Sequence, residues 1–177
     1  MAPRKNKQLM YLNMTESQAR AALIGKDGLL TYDFEAVLTE VFLSFLDNST
    51  DRSLTLDKLR DFSRMCNGGR AFSDEEIKEI QTYFECDENQ GLTLKGFKDM
   101  YHTQSSAEPL ETWRDLKKLG FEKSMLDRRE ASLRCRVCKE PSTLMCSRCK
   151  AVRYCGIDCQ KQAWKTSHKQ RCRAPMV

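Results

Sequence analysis

Eight residues constrain this 177-residue chain more than any others: Cys135, Cys138, Cys146, Cys149, Cys155, Cys159, His168 and Cys172, spaced C-x2-C-x7-C-x2-C-x5-C-x3-C-x8-H-x3-C. Eight thiolate or imidazole ligands make two tetrahedral zinc sites with no open coordination position, a structural arrangement and not a catalytic one. A C-x2-C pair suits a tight knuckle whose sulfurs converge on one ion. Cys155 and Cys159, or His168 and Cys172, are four apart and fall on one face of a helical turn. Disulfides are the competing reading of clustered cysteines. An odd count, the histidine at ligand spacing and a reducing compartment argue against them.

The compartment is itself an expectation. No apolar run approaches the roughly 18 residues of a membrane span, and the opening "MAPRKNKQLM" has basic residues without an apolar stretch behind them. A soluble protein of cytoplasm and/or nucleus is expected, with no membrane partner. The composition, 40% hydrophobic and 31% charged, fits a folded chain and not wholesale disorder. Charge divides sharply near 134: residues 134–177 carry a formal +9, leaving −4 for the rest of a +5 chain. Seven zinc-bound thiolates and two ions would reduce that +9 to about +6, and the whole chain to about +2.

The preceding residues read as helices. In "TYDFEAVLTEVFLSFLDN", Phe34, Val37, Leu38, Val41, Phe42, Phe45 and Leu46 recur at helical spacing. A second helix begins at "FSDEEIKEIQTYF", where Ser73 and Glu76 form a capping box, Phe72 and Ile77 are placed to staple, and Ile77, Ile80 and Phe84 share a face. Each helix leads into a polar loop with a similar ending, "SLTLDKL" (53–59) and "GLTLKGF" (91–97), at an offset of 38 residues. A twofold helix–loop–helix repeat of this length resembles a pair of EF-hands.

That resemblance puts Leu54 and Leu92 at the eighth place of twelve-residue loops, Asp47–Lys58 and Glu85–Gly96. A calcium loop wants oxygen ligands at places one, three and five, glycine at six and a bidentate glutamate at twelve. Loop one offers Asp47, Ser49 and Asp51, with Arg52 at six and Lys58 at twelve. Loop two offers Glu85, Asp87 and Asn89, with Gln90 at six and Gly96 at twelve. Glu85, Asp87 and Asn89 are the candidate calcium residues. The missing carboxylate at twelve makes calcium an unexpected cofactor and a paired-loop scaffold the preferred reading.

After an expected loop, "HTQSSAEP", the stretch "LETWRDLKKLGF" places Leu110, Trp113, Leu116 and Leu119 every third residue and ends on Gly120. It resembles the ligand-mimicking helix of some EF-hand GTPases, which implies that it fills the groove of the helical pair from the same chain; packing elsewhere on the core is the alternative. Residues 122–133 read as a charged helical connector, His102 as a solvent-facing helix end, and Cys66 and Cys86 as small buried hydrophobes.

The cysteine string is similar to the MYND-type zinc finger, and "RYCGIDCQ" and "CQKQAWKTSHKQRC" add the aromatic before the fifth ligand, the glutamine after the sixth and the tryptophan beyond it. The resemblance implies interleaved ligation: Cys135, Cys138, Cys155 and Cys159 on one zinc, and Cys146, Cys149, His168 and Cys172 on the other. Spacing alone also permits sequential pairing. It further implies that Ser147, Gln160 and Trp164 contact a short proline-containing peptide of PxLxP type. The expected fold class is mainly α: tail and leading helix (1–30), EF-hand-like pair with packing helix (31–121), connector (122–134), two-zinc MYND finger with a short hairpin and helix (135–172), and tail (173–177). The expected function is a protein–protein adaptor. A calcium-modulated adaptor is the alternative, and a nucleic-acid-binding regulator ranks lower because no base-reading helix is present. No catalytic constellation is present in the sequence.

Overall fold

The sequence repeat closes on itself. In a computed structural model, which describes residues 14–48, 50–150 and 152–172, Leu54 of β1 (Ser53–Leu54) lies opposite Leu92 of β2 (Leu92–Thr93) in an antiparallel ribbon. The two residues the repeat equates are therefore paired in space, and both are fully buried. The chain divides into two compact units after Lys123.

In the first unit, each ribbon strand joins two helices: α2 (Tyr32–Ser44) and α3 (Leu56–Cys66) around β1, then α4 (Asp74–Tyr83) and α5 (Leu94–Ala107) around β2. A preceding helix, α1 (Glu16–Leu23), starts at a Thr15/Gln18 capping box, and α4 starts at the expected Ser73/Glu76 box. Thr31, Thr55 and Thr93 cap α2, α3 and α5 through their hydroxyls. These caps satisfy N–H groups that a helix start leaves without partners.

The core is aromatic. Phe97 of α5 is fully buried, with ring centroids 5.7 Å from Phe42, 5.3 Å from Phe62 and 5.1 Å from Tyr101, each edge to face. That geometry sets the positive edge of one ring against the negative face of the next.

Two expectations are corrected here. Residues 102–107 of "HTQSSAEP" are helical, because α5 continues to Ala107 and α6 (Pro109–Lys118) follows immediately. Local propensity reads that polar run as a loop, but tertiary partners satisfy it: Ser105 Oγ donates to Thr112 Oγ1 (3.1 Å), and Gln104 Nε2 donates to Asp115 Oδ2 (2.8 Å). His102 is half-buried within α5, and its Nε2 hydrogen-bonds the Gly28 carbonyl oxygen at 2.7 Å, so it is a tertiary tie and not a solvent-facing helix end.

Helix α6 packs on α1, α3 and α5. Trp113 and Leu116 are buried, and the indole Nε1 donates to Glu122 Oε1 (3.1 Å). Gly120 at φ 82° ends the helix in the left-handed region, with Phe121 N donating to Leu116 O (2.7 Å). Asp115 lies 6% exposed on this helix, and burial raises its carboxyl above the ordinary range, against the lowering effect of the Gln104 hydrogen bond. A raised folded value means that the carboxyl's contribution to stability is complete below the unfolded carboxylate range and lost as pH rises through the folded value. Asp115→Asn is therefore expected to raise the thermal midpoint, followed by helical circular dichroism at neutral pH, and the gain should vanish in acid.

The loops are closed by their own side chains. Lys58 Nζ sits 2.5 Å from Asp47 Oδ1, joining the two ends of loop one; Ser49 lies outside the described residues. In loop two, Gln90 adopts φ 63°. Asp87 Oδ1 accepts from the Asn89 and Gly91 backbone (2.9 and 2.8 Å), and Oδ2 accepts from Ser53 Oγ of the other loop (2.5 Å). Ser53 first, then the Gly91 and Asn89 backbone, holds the Asp87 carboxyl below its ordinary range.

The second unit contains the hairpin β3 (Leu144–Met145) and β4 (Arg153–Tyr154), then α8 (Ile157–Ala163), a π-helical turn (Trp164–His168) and α9 (Lys169–Arg171). The charged helix α7 (Glu122–Ser132) spans the division between units. Among the described residues, no helix is long and apolar enough to cross a membrane.

Candidate metal centre

Two backbone knuckles of similar construction begin the site. In the first, Cys135 N–H donates to Glu140 O (2.8 Å) and Lys139 N–H to Cys135 O (3.0 Å); in the second, Cys146 N–H donates to Val152 O (2.9 Å) and Lys150 N–H to Cys146 O (3.0 Å). Each turn closes on a lysine in the left-handed region, Lys139 at φ 64° and Lys150 at φ 56°. That conformation strains an L-residue by about 1–2 kcal/mol, and the knuckle holds it because the two cysteines must converge. Arg136 N–H donates to Arg153 O (2.9 Å), joining the first knuckle to β4.

The remaining ligands come from the hairpin exit and the last helices. Cys155 and Cys159 bracket the start of α8, with sulfurs 3.5 Å apart. They meet Cys138 Sγ at 3.4 and 3.9 Å and, with Cys135, form one group whose ligand atoms all lie within 4.8 Å of one another. The second group is Cys146, Cys149, His168 and Cys172. Cys146 and Cys172 sulfurs are 3.7 Å apart, and His168 Nε2 lies 3.3 Å from Cys146 Sγ and 3.7 Å from Cys149 Sγ. The grouping is interleaved, not sequential.

The donor set fits zinc. Tetrahedral Zn–S bonds of about 2.3 Å place sulfurs ~3.8 Å apart, and a Zn–N bond of about 2.0 Å places nitrogen ~3.5 Å from sulfur; the separations here bracket both. Burial raises the Cys135 thiol, but backbone N–H groups of Cys138, Cys155 and Val137 outweigh it and bring the thiol down to about 6. Cys146 is also brought to about 6, as the Cys149 backbone and then His168 overcome burial. Each knuckle is thus built to favour a thiolate, the form that binds metal.

The two sites differ in cover. Cys138 and Cys155 are exposed and Cys159 is half-buried in the first, whereas in the second Cys146, His168 and Cys172 are buried and Cys149 is half-buried. The rings of Tyr154 and Trp164 lie 6.1 and 5.8 Å from the His168 ring. The π turn contains both Trp164 and His168 and brings the indole onto the imidazole that serves as ligand.

Of the sequence-derived peptide residues, Gln160 and Trp164 are half-buried one turn apart, and Ser147 is exposed in the second knuckle. The indole also packs on the small core of Cys135, Cys146, Tyr154, Ala163 and Cys172. Sequence reasoning missed the exposed apolar side chains nearby in the chain: Leu144 (38%), Met145 (43%) and Ile157 (61%). The signal was the pair Leu144–Met145 within an otherwise polar "PSTLMCS".

Residues 135–172 match the family model of the MYND finger, a protein-interaction module. The chain is 52% identical over 42 residues to ubiquitin carboxyl-terminal hydrolase 17 of Arabidopsis thaliana, covering 24% of this chain and 6% of that protein. It is 50% identical over 38 residues to ubiquitin C-terminal hydrolase 15 of Oryza sativa subsp. japonica, covering 22% and 4%. Programmed cell death protein 2 of Mus musculus is 30% identical over 79 residues, covering 45% of this chain and 23% of that protein. The chain thus spans a small fraction of the curated relatives it matches. No solved structure matches it.

Proposed function

We propose that this chain is a non-catalytic adaptor, in which a two-zinc MYND finger binds a proline-containing, PxLxP-like segment of a partner protein and an EF-hand-like helical unit serves as scaffold. The observation that carries this reading is Trp164, held half-buried on the finger's core with Gln160 one turn before it. An indole so placed offers proline a flat apolar wall, and a glutamine offers an extended backbone both a donor and an acceptor. The two-residue hairpin, with Leu144 and Met145 exposed, supplies apolar surface in the same unit. Ser147 is the third proposed contact.

The helical unit is read as calcium-independent: Asp87 has both oxygens engaged, and an ammonium joins the ends of loop one. Zinc sites with four protein ligands each leave nowhere for substrate to coordinate, which supports a binding role over a catalytic one. The hydrolase names of the plant relatives concern proteins of which this chain covers 6% or less.

Peptide display against the full zinc-loaded chain tests the reading. Proline motifs should be enriched, and Trp164→Ala or Gln160→Ala should weaken the selected peptide while both zincs are retained. The tryptophan variant is expected to lose about 2 kcal/mol, roughly thirtyfold. Enrichment of no proline motif, or affinity indifferent to both substitutions, removes the proposal. Steep salt dependence of binding to DNA would favour the nucleic-acid reading instead.

A further inference from the structure

The finger's two metal groups are chemically alike but unequally protected. In the first, Cys138 and Cys155 are exposed, with sulfurs 3.4 Å apart. The next residue, Gly156, adds no side chain beside Cys155. In the second group, Cys146, His168 and Cys172 are 3%, 8% and 5% exposed, Cys149 is half-buried, and aromatic rings stand against the imidazole. Nucleophilic reactivity of a zinc-bound sulfur requires thiolate character and access, and both groups share the first requirement. Access separates them.

We propose that Cys138 and Cys155 are an oxidant-sensitive modification site, converted by a hydroperoxide to a disulfide with loss of zinc from the first tetrad while the second stays loaded. The Cys155 thiolate attacks the peroxide, the O–O bond breaks, and the leaving alkoxide takes a proton to become an alcohol; Cys155 becomes a sulfenic acid. The Cys138 thiolate then attacks the Cys155 sulfur, the S–S bond forms, the S–O bond breaks, and hydroxide takes a proton to leave as water. The two thiolates are oxidised by two electrons in total, and the hydroperoxide is reduced by two. Left with two thiolates, the tetrad no longer holds its ion. Because Cys155 and Cys159 bracket the start of α8, oxidation unpins the helix that carries Gln160.

Outside the tetrads, Cys66 is buried and Cys86 half-buried, whereas Cys138 and Cys155 are exposed. Bound zinc holds the tetrad sulfurs as thiolates, an activation that Cys66 and Cys86 lack.

The test uses the full chain loaded with two zincs and treated with hydrogen peroxide. Released zinc is followed with a chromophoric chelator, and cysteine states are mapped by alkylation and mass spectrometry. One zinc per chain should leave in step with a linked Cys138–Cys155 peptide, while Cys146, Cys149 and Cys172 stay shielded from iodoacetamide and the second zinc is retained. The proposal is overturned if both zincs leave together, if the second tetrad's cysteines oxidise first, or if no zinc leaves at a peroxide concentration that oxidises a free cysteine peptide. None of these readouts involves a bound peptide, so the outcome is independent of the binding reading.

Discussion

Chelating zinc from the full chain is expected to unfold residues 135–172 while helices α1 to α6 persist. The finger's buried core consists of Cys135, Cys146, Tyr154, Ala163 and Cys172, of which three are metal ligands. Remove the ions and one tyrosine and one alanine are the only other fully covered members, with half-buried Val137, Val152 and Trp164 packed against them. Structural zinc contributes about 10–16 kcal/mol of apparent binding free energy in small domains, well beyond what that remnant supplies. Each ion holds its own segments: the first tetrad joins the first knuckle to the β4–α8 junction, and the second joins the other knuckle to the π turn and the chain beyond it. Trp164 fluorescence should move to that of a solvated indole, and proteolysis should remove the finger, while most helical circular dichroism survives from the separate aromatic core around Phe97. Cys146→Ala should release the second zinc and expose Trp164 without a chelator. Acid should mimic chelation, because zinc binding displaces protons from thiols and its affinity falls as they are retained. A finger that keeps its fold and its tryptophan signal after both ions are removed would overturn this account.

The zinc-ligand string was legible in the sequence because its chemistry resides in a few side chains at fixed spacing. The interleaved grouping was implied by the resemblance to the MYND finger and not by spacing, which also permits sequential pairing; the backbone bond from Arg136 to Arg153 brings the first knuckle to the hairpin exit. The helical repeat was legible through periodicity, and the Leu54–Leu92 pairing follows the offset of the two loops. The stretch 102–107 was misread because Ser105 and Gln104 carry a loop signal locally, and only the neighbouring α6 supplies the hydroxyl and carboxylate that hold them in a helix. The exposure of Leu144 and Met145 was equally hidden. Strand alternation over two residues says too little about which face is covered.

Gly96 gives the second large effect, and it reverses the obvious engineering expectation. Loop two lacks glutamate at its twelfth place, so Gly96→Glu looks like the change that would restore a calcium ligand. In the folded chain Gly96 is the third residue of α5, and its N–H donates to Thr93 Oγ1 (3.1 Å). A Cβ there would collide with the Glu85 carbonyl oxygen and fall 2.8 Å from Leu92 Cδ1 and 2.9 Å from the Glu85 nitrogen. Two of these three atoms are backbone and cannot rotate away. The same carbonyl accepts from Thr93 N (3.0 Å), so moving it aside breaks the tie between loop two and the start of α5. Leu92 is held in the ribbon opposite Leu54, and Phe97 follows Gly96 into the aromatic core, so the strain has no soft neighbour to absorb it. Gly96→Glu is expected to destabilise the helical unit by about 3 kcal/mol or more, with Gly96→Ala close behind because the Cβ causes the damage. Thermal unfolding in millimolar calcium should show no recovery. Full rescue of the glutamate variant by calcium would mean that the loop opens to hold an ion, and that the tie between Glu85 and Thr93 is not what keeps it shut.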